Sequence, residues 1–189
     1  MFEILWNGKE TVDTAYSWLQ SLGEKAGYDS DVYFMAVYTA LTGLRPIEAL
    51  NSLRIISEKG LEGYLNREML VLEHFRFPDV FIRGNKKAFV SVVTESLASR
   101  FASWRGKEVL SIEKLQKVIE RRYGLPCKLQ LLRKAWATVM RGVVHGEDVN
   151  LLQGRISAEV FVRNYYRPAL AEIFMKVRRK VAELEQRFL

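Results

Sequence analysis

Residues 30–59 read SDVYFMAVYTALTGLRPIEALNSLRIISEK and predict two helices joined by a tight turn. Ser30 or Asp31 can cap the first helix, because a short polar side chain accepts a hydrogen bond from the free N–H groups of a first turn. Gly43 ends this helix, since glycine readily adopts the left-handed conformation of a helix end. A second helix begins at Arg45, with a proline tolerated in its first turn and apolar residues along one face.

Helical patterns dominate the chain on both sides of this stretch. Apolar residues at three- and four-residue spacing, or residues typical of helix starts and ends, mark six further helices. Their expected ranges are 11–22, 111–124, 128–142, 147–153, 160–166 and about 168–188. Residues 66–76 fit either a helix or a strand.

A different pattern occupies residues 78–93. Two short runs of β-branched and aromatic residues lie there, separated by Arg83-Gly84-Asn85-Lys86. This arrangement predicts a β-hairpin at about residues 78–93 with a Gly-Asn turn. The whole chain, residues 1–189, is therefore expected to form one α+β domain that is mostly helical and contains a small antiparallel sheet.

Basic and acidic residues are unevenly distributed along the chain. Residues 1–80 contain 7 basic and 12 acidic side chains, whereas residues 81–189 contain 22 basic and 10 acidic ones. A positive surface of this kind attracts polyanions, and nucleic acid is the most common polyanion in a cell. The pattern favours a nucleic-acid partner, and a basic surface that only keeps the protein in solution is the alternative.

The residue inventory argues against several kinds of chemistry. A single cysteine, Cys127, excludes a disulfide framework and a zinc site built on thiolates. The two histidines lie 71 positions apart with no carboxylate at metal-ligand spacing, and no GxxxxGK[ST] loop is present to bind a nucleotide. Because the chain has neither a membrane-spanning run nor a signal-peptide pattern, we expect an intracellular, soluble protein that needs no metal or cofactor.

Basic residues stand at the ends of several predicted elements. Arg45 begins a helix, where its guanidinium and the helix N-terminus can share one phosphate. Lys86 lies at the hairpin tip, Arg133 lies on the amphipathic helix 128–142, and Arg155 follows a helix end. Each residue alone is typical of a surface ion pair or a solvated turn, so only their order and spacing point to a site.

Four motifs follow one another along the chain: TGLRPIEAL (42–50), LRKAWATVM (132–140), LLQGRI (151–156) and VFVRNYY (160–166). In this order they resemble the first arginine box, the second arginine box, the LGH box and the nucleophile segment of the tyrosine recombinases. The resemblance covers about residues 11–175. It is closest to integrases of archaeal spindle-shaped viruses and archaeal plasmids, which have a similar RGxK hairpin and a similar QGR segment.

The resemblance implies a role for individual residues. Arg45 and Arg133 correspond to the two arginines that bind the scissile phosphate, and Glu48 to an acid that braces them. Arg155 stands where most of the family has His or Trp. Lys86 corresponds to the hairpin lysine, and the nucleophile corresponds to Tyr165, which lies 32 positions after Arg133 as the family requires.

Three features depart from the family pattern. Gln130 stands where the family has a histidine or, in the archaeal viral branch, a lysine; an amide cannot accept a proton at neutral pH. Tyr166 adjoins Tyr165 and leaves the choice of nucleophile open by one position. The N-terminal core-binding domain of the family has no counterpart in the sequence.

The C-terminal helix 168–188 has two possible partners. Its basic cluster, Lys176, Arg178, Arg179 and Lys180, lies on an otherwise amphipathic helix. The apolar face of that helix either covers the core of its own chain or, as the resemblance suggests, docks onto a neighbouring protomer.

The implied function is site-specific recombination or integration of duplex DNA through a 3′-phosphotyrosine intermediate, without metal or ATP. The implied partners are duplex DNA and further copies of this chain, as a tetramer on DNA and a monomer in solution, with no membrane contact. The implied location is the cytoplasm, at the nucleoid. The alternatives are a DNA-binding or strand-nicking remnant without full recombination, and a type IB topoisomerase-like enzyme that relaxes DNA.

Overall fold

The computed structural model describes the backbone of residues 2–84, 86–165 and 168–189, and side chains apart from those of residues 1–8, 85 and 162–169. The described backbone forms ten α-helices and five short strands. The helices are α1 (Phe2–Ala26), α2 (Asp31–Thr42), α3 (Pro46–Lys59), α4 (Pro78–Phe81), α5 (Glu95–Arg100), α6 (Ile112–Lys117), α7 (Leu129–Met140), α8 (Gly146–Leu152), α9 (Ala158–Tyr165) and α10 (Pro168–Phe188). The strands are β1 (Leu65–Asn66), β2 (Val71–Glu73), β3 (Ile82–Arg83), β4 (Lys86–Lys87) and β5 (Val90–Val92). The predicted α+β class, mostly helical with a small antiparallel sheet, is confirmed.

Helix α2 forms the centre of the core. Every residue from Tyr33 to Thr42 is buried, and α2 packs against α1, α3, α7 and α10. Its predicted ends are confirmed: the Ser30 hydroxyl accepts the N–H of Tyr33, and Gly43 adopts a left-handed φ of 64°. None of the described helices is both long and apolar enough to cross a membrane.

The hairpin is shorter than predicted. Strands β3 and β4 pair over only two residue pairs, Ile82 with Lys87 and Arg83 with Lys86, so the turn lies where expected. Residues 78–81 are helical rather than extended, because Pro78 occupies the first position of α4, where a missing N–H costs nothing. The second apolar run of residues 78–93 does not pair with the first, since its strand β5 lies against β2.

Strands β1, β2 and β5 form a three-stranded antiparallel sheet in that order. Val71 lies opposite Val92 and Glu73 lies opposite Val90. The ambiguous segment 66–76 therefore contains strand β2 and a 3₁₀ turn at His74–Arg76. Both β2 and β5 are buried along their whole length, so alternation of apolar and polar residues could not mark them in the sequence.

Helix α10 covers the core of its own chain. Its apolar residues Phe174, Val177 and Val181 are fully buried, and the helix packs against α2 and β5. The Tyr33 hydroxyl donates to the backbone carbonyl of Phe188 across 3.0 Å. The apolar face of α10 therefore packs on the core of its own chain, which is the first of the two arrangements that the sequence left open.

A chain of buried polar side chains links the helical core to the sheet. The hydroxyls of Tyr38 and Tyr64 both bond to Ser52, at 2.7 and 2.8 Å. Tyr64 also lies 2.6 Å from Nδ1 of His74, and the Nε2 atom of His74 lies 2.7 Å from the hydroxyl of Ser91. Since Tyr64 donates to Ser52, it accepts from Nδ1. Burial keeps the imidazole neutral, so Nε2 carries no proton and accepts from the Ser91 hydroxyl.

We expect His74 to make the fold sensitive to mild acid. Burial lowers the pKa of His74 from 6.5 to about 3. The unfolded chain therefore binds a proton below about pH 6.5 that the native protein does not, so stability falls as the pH drops. Between about pH 7 and about pH 5 the free energy of unfolding should fall by about 2 kcal/mol from this group.

Urea unfolding at the two pH values tests the role of His74. A His74→Gln protein, which has no imidazole to protonate, should lose this part of the pH dependence. The same substitution at the exposed His145 is the control and should keep it. An equal pH dependence in wild type and His74→Gln would show that another group is responsible.

Candidate active site

Arg45 is fixed at the first turn of α3. Its backbone N–H donates to the Glu48 carboxylate across 3.0 Å, which is the arrangement of a helix N-terminus with an acid in its first turn. Its guanidinium bonds to the same carboxylate at 2.5 Å, and Nη1 also donates to the backbone carbonyl of Lys87 at 3.1 Å. The acid that binds Arg45 is itself buried, so the guanidinium is held in one place while about a quarter of the side chain, 23%, stays exposed.

Arg133 points inward from α7 and is only 7% exposed. Nη1 donates to the carbonyl of Gly43 and Nη2 to the carbonyl of Gln153, each across 2.8 Å. The carboxylate of Glu48 lies 3.9 Å from Nη1. These two carbonyl bonds occupy two of the five N–H groups of the guanidinium fork and hold it in one orientation.

The two carbonyls that accept hydrogen bonds from Arg133 belong to Gly43 and Gln153. Gly43 ends α2 against the ring of Trp136, where an added Cβ would lie 2.3 Å from a ring carbon. The turn after α8 contains Gln153, whose side-chain amide donates back to the Arg133 carbonyl at 3.2 Å. Gln153 and Arg133 therefore hold each other through two hydrogen bonds, and the Oε1 atom of this buried Gln153 has no hydrogen-bond partner among the described residues.

The turn that contains Gln153 also introduces Arg155. Gly154 adopts a left-handed φ of 64°, and an added Cβ there would lie 2.0 Å from the carbonyl oxygen of Lys87. The backbone N–H of Arg155 donates to the Asn150 carbonyl at 2.8 Å, and the side chain of Arg155 is exposed. The end of α8 is thus in contact with the base of the β3–β4 hairpin.

Three positive charges act on one another in this site. Burial, together with the positive charges of Arg45 and Arg155, lowers the pKa of Arg133 to about 10, while Glu48 opposes this shift. Arg133 remains protonated at neutral pH. One carboxylate against three guanidiniums leaves a net positive site, and like charges held together in this way are typical of a site for a polyanionic group.

The structure brings together most of the residues expected to form the site. Arg45 precedes α3, Arg133 lies on α7 and Arg155 follows α8, and Glu48 lies beside Arg45 and Arg133. Lys86 is exposed on β4 and precedes Lys87, whose carbonyl contacts Arg45.

Helix α9 ends at Tyr165 and is anchored beside the hairpin. The ring of Phe161 stacks on Phe89 with their centroids 4.3 Å apart, and Phe89 follows the hairpin by two residues. The side chain of Tyr165 and the whole of Tyr166 lie outside the described residues, so the choice between them stays a prediction. Gln130 lies exposed in the first turn of α7.

Sequence reasoning did not find the main-chain acceptors of this site. The carbonyls of Gly43, Lys87 and Gln153 hold the two arginines, yet any residue type supplies a carbonyl, so no sequence pattern marks them. The available signal was the pair of glycines at positions 43 and 154, of which the sequence analysis explained Gly43 only as a helix end. Both are also positions where another part of the chain approaches too closely for a side chain.

Comparison with known proteins finds no relative of this chain. The chain matches no protein-family model, no curated protein sequence and no solved structure.

Proposed function

We propose that this protein cuts and rejoins duplex DNA through a covalent tyrosine–phosphate intermediate, as a site-specific recombinase or integrase. The observation that carries the proposal is the pairing of Arg45 and Arg133 with one carboxylate, Glu48, while the charge of Arg155 acts on Arg133. The excess of basic residues after position 80 supports DNA as the source of the phosphate. The resemblance of four ordered motifs to the tyrosine recombinases supports the reaction type.

The arginines stabilise the charge that builds up on the phosphate. Attack on a phosphodiester places negative charge on the non-bridging oxygens, and guanidiniums bind such oxygens bidentately and stay charged at neutral pH. Arg133 is fixed by two carbonyls and Arg45 by Glu48, so little reorganisation is needed when the transition state forms. Arg155 adds a third cation to the same phosphate.

Tyr165 and Lys86 complete the chemistry. The Tyr165 hydroxyl attacks phosphorus and forms a 3′-phosphotyrosine, which keeps the bond energy for rejoining. Lys86, at the hairpin tip, gives a proton to the leaving 5′-oxygen. Further copies of the chain would cleave the partner strands, and each phosphotyrosine would then be attacked by the free 5′-hydroxyl of another strand.

One observation favours a reduced activity as the second candidate. Gln130 is exposed at the start of α7 and cannot exchange a proton at neutral pH. A protein without that proton carrier can still bind DNA or nick one strand. This candidate predicts DNA binding with few or no covalent products.

The test is a search for protein covalently attached to DNA. The full chain is incubated with supercoiled plasmids that carry a random insert, in EDTA and without nucleotide, and the reaction is stopped with SDS. We expect adducts to form, mass spectrometry to find phosphotyrosine, and sequencing of the attached DNA to give a preferred sequence.

Each other outcome selects a different function. Salt-sensitive binding without an adduct would overturn strand cleavage and favour the binding remnant. Relaxation of every plasmid, with adducts at unrelated sequences, would favour a topoisomerase-like enzyme. The absence of DNA binding would overturn both the charge argument and the proposed function.

A further inference from the structure

The carbonyl oxygen of Lys87 lies where three parts of the candidate site meet. Arg45 donates to it from Nη1 across 3.1 Å. The backbone of Gly154 contacts the same oxygen, since an added Cβ at this position would lie 2.0 Å from it. Lys87 ends strand β4, and Lys86 precedes it. The hairpin is therefore connected at its base to both Arg45 and the turn that introduces Arg155.

We propose that Gly154 is a positioning residue: its contact with the Lys87 carbonyl fixes the base of the hairpin and so holds Lys86 at the leaving oxygen of the DNA. This inference rests on the proposed function. Gly154 touches no substrate atom, and it acts through Lys87 and Lys86. A residue with a side chain cannot replace it, because φ is 64° and the carbonyl occupies the space of a Cβ.

The hairpin needs this support because it is too short to hold itself. Its ladder has two residue pairs, extended by one hydrogen bond from the N–H of Ala88 to the carbonyl of Phe81 at 2.9 Å. A two-stranded hairpin alone is marginally stable even when it is longer. Without a contact at its base, the position of Lys86 would vary.

The turn on the other side of the contact is the more rigid partner. Gln153 exchanges two hydrogen bonds with Arg133, and the N–H of Gly154 donates to the Leu151 carbonyl at 2.9 Å. Arg155 is held by the Asn150 carbonyl. A methyl group at position 154 should therefore displace the hairpin and leave Arg133 in place. Arg45 would lose the Lys87 carbonyl, but it stays fixed by its two bonds to Glu48.

The step that depends on this contact is the protonation of the leaving group. The tyrosine oxygen forms a bond to phosphorus, and the phenol proton passes to solvent. The bond from phosphorus to the 5′-oxygen breaks, its electron pair stays on that oxygen, and the Lys86 ammonium supplies the proton. The neutral amine of Lys86 takes the proton back when the strands rejoin. A leaving sulfur needs no such proton, because a thiolate is a far weaker base than an alkoxide.

Hydrogen exchange tests the contact without any substrate. We compare wild type, Gly154→Ala and the matched control Gly124→Ala, since Gly124 has the same φ of 64° with nothing within 4 Å of its Cβ position. The backbone amides of residues 82–89 should exchange about tenfold faster in Gly154→Ala than in wild type. In Gly124→Ala their exchange rates should be unchanged. Unchanged exchange in both would overturn the proposal. If Gly154→Ala does not fold, fast exchange of the Ala88 amide in wild type, equal to that of the hairpin tip, would overturn it.

Strand cleavage tests the chemistry. Two duplexes carry the sequence recovered from covalent adducts, one with an ordinary phosphodiester and one with sulfur in place of the 5′-bridging oxygen. Gly154→Ala should cleave the oxygen duplex about 100-fold more slowly than wild type, and the sulfur duplex at the wild-type rate. Lys86→Ala should show the same pattern on the two duplexes. An equal loss on both duplexes would overturn the positioning role. If wild type cleaves neither, the proposed function fails, while hydrogen exchange still decides whether the contact exists.

Discussion

Arg133→Lys should lose strand cleavage by at least about 1,000-fold, because one donor aimed at a developing oxyanion is worth about 100- to 1,000-fold and this substitution disturbs several. An ammonium carries the charge but not the planar fork. It cannot reach the Gly43 and Gln153 carbonyls on two sides while also facing the phosphate. The measurement is the single-turnover rate of adduct formation on the DNA sequence recovered from wild-type adducts.

Arg133→Lys separates the catalytic role from charge and from folding better than alanine does. Alanine would leave two buried carbonyls without a donor, at a cost of about 1–3 kcal/mol each, and could unfold the protein. Lysine keeps the net charge, so DNA affinity and its salt dependence should stay within about twofold of wild type. Arg141→Lys makes the same change at an exposed residue after α7 and should cleave normally.

A different result for Arg133→Lys would contradict the proposed site. Cleavage within about threefold of wild type, with an unchanged thermal unfolding midpoint, would mean that the fork contributes little to the transition state. A parallel loss of DNA binding would mean that Arg133 holds the fold or the DNA rather than the reacting phosphate.

The sequence predicts helix ends well because their signals are local. The Ser30 cap and the Gly43 end of α2 depend on residues three or four positions away. Strand pairing depends on distant residues: β5 fits a hairpin partner in sequence, yet it pairs with β2, which precedes the hairpin. The competing partner was hidden because β2 is buried on both faces and reads as an ambiguous apolar segment.

In the candidate site, the sequence likewise predicted the functional side chains but not the backbone contacts that hold them. Motif order was enough to single out Arg45, Arg133 and Arg155, which the structure brings together. The contact between Gly154 and the Lys87 carbonyl joins positions 67 residues apart, so no local pattern could indicate it. The inward direction of Arg133 was also hidden, because an arginine on an amphipathic helix usually extends along the surface to water.

Tyr165→Phe should abolish the covalent adduct and leave DNA binding intact. The substitution removes one oxygen atom, the atom that bonds to phosphorus in the proposed mechanism, so cleavage should fall by at least about 10,000-fold. The two residues have nearly the same size and helix propensity, and the anchor of α9 is Phe161, which the change does not touch. The measurement is adduct yield after SDS, together with DNA affinity by fluorescence anisotropy.

Tyr166→Phe is the matched control, since it makes the same change one position along the chain. The tyrosine recombinase spacing from Arg133 favours position 165, so Tyr166→Phe should form adducts at nearly the wild-type rate. The opposite pattern, with Tyr166→Phe inactive and Tyr165→Phe active, would keep the reaction class and move the nucleophile by one residue. Full activity in both single variants would mean that neither hydroxyl is uniquely required, and the double variant would then show whether one replaces the other. Adducts that survive in the double variant would remove both tyrosines from the mechanism, and with them the strongest link between this sequence and phosphotyrosine chemistry.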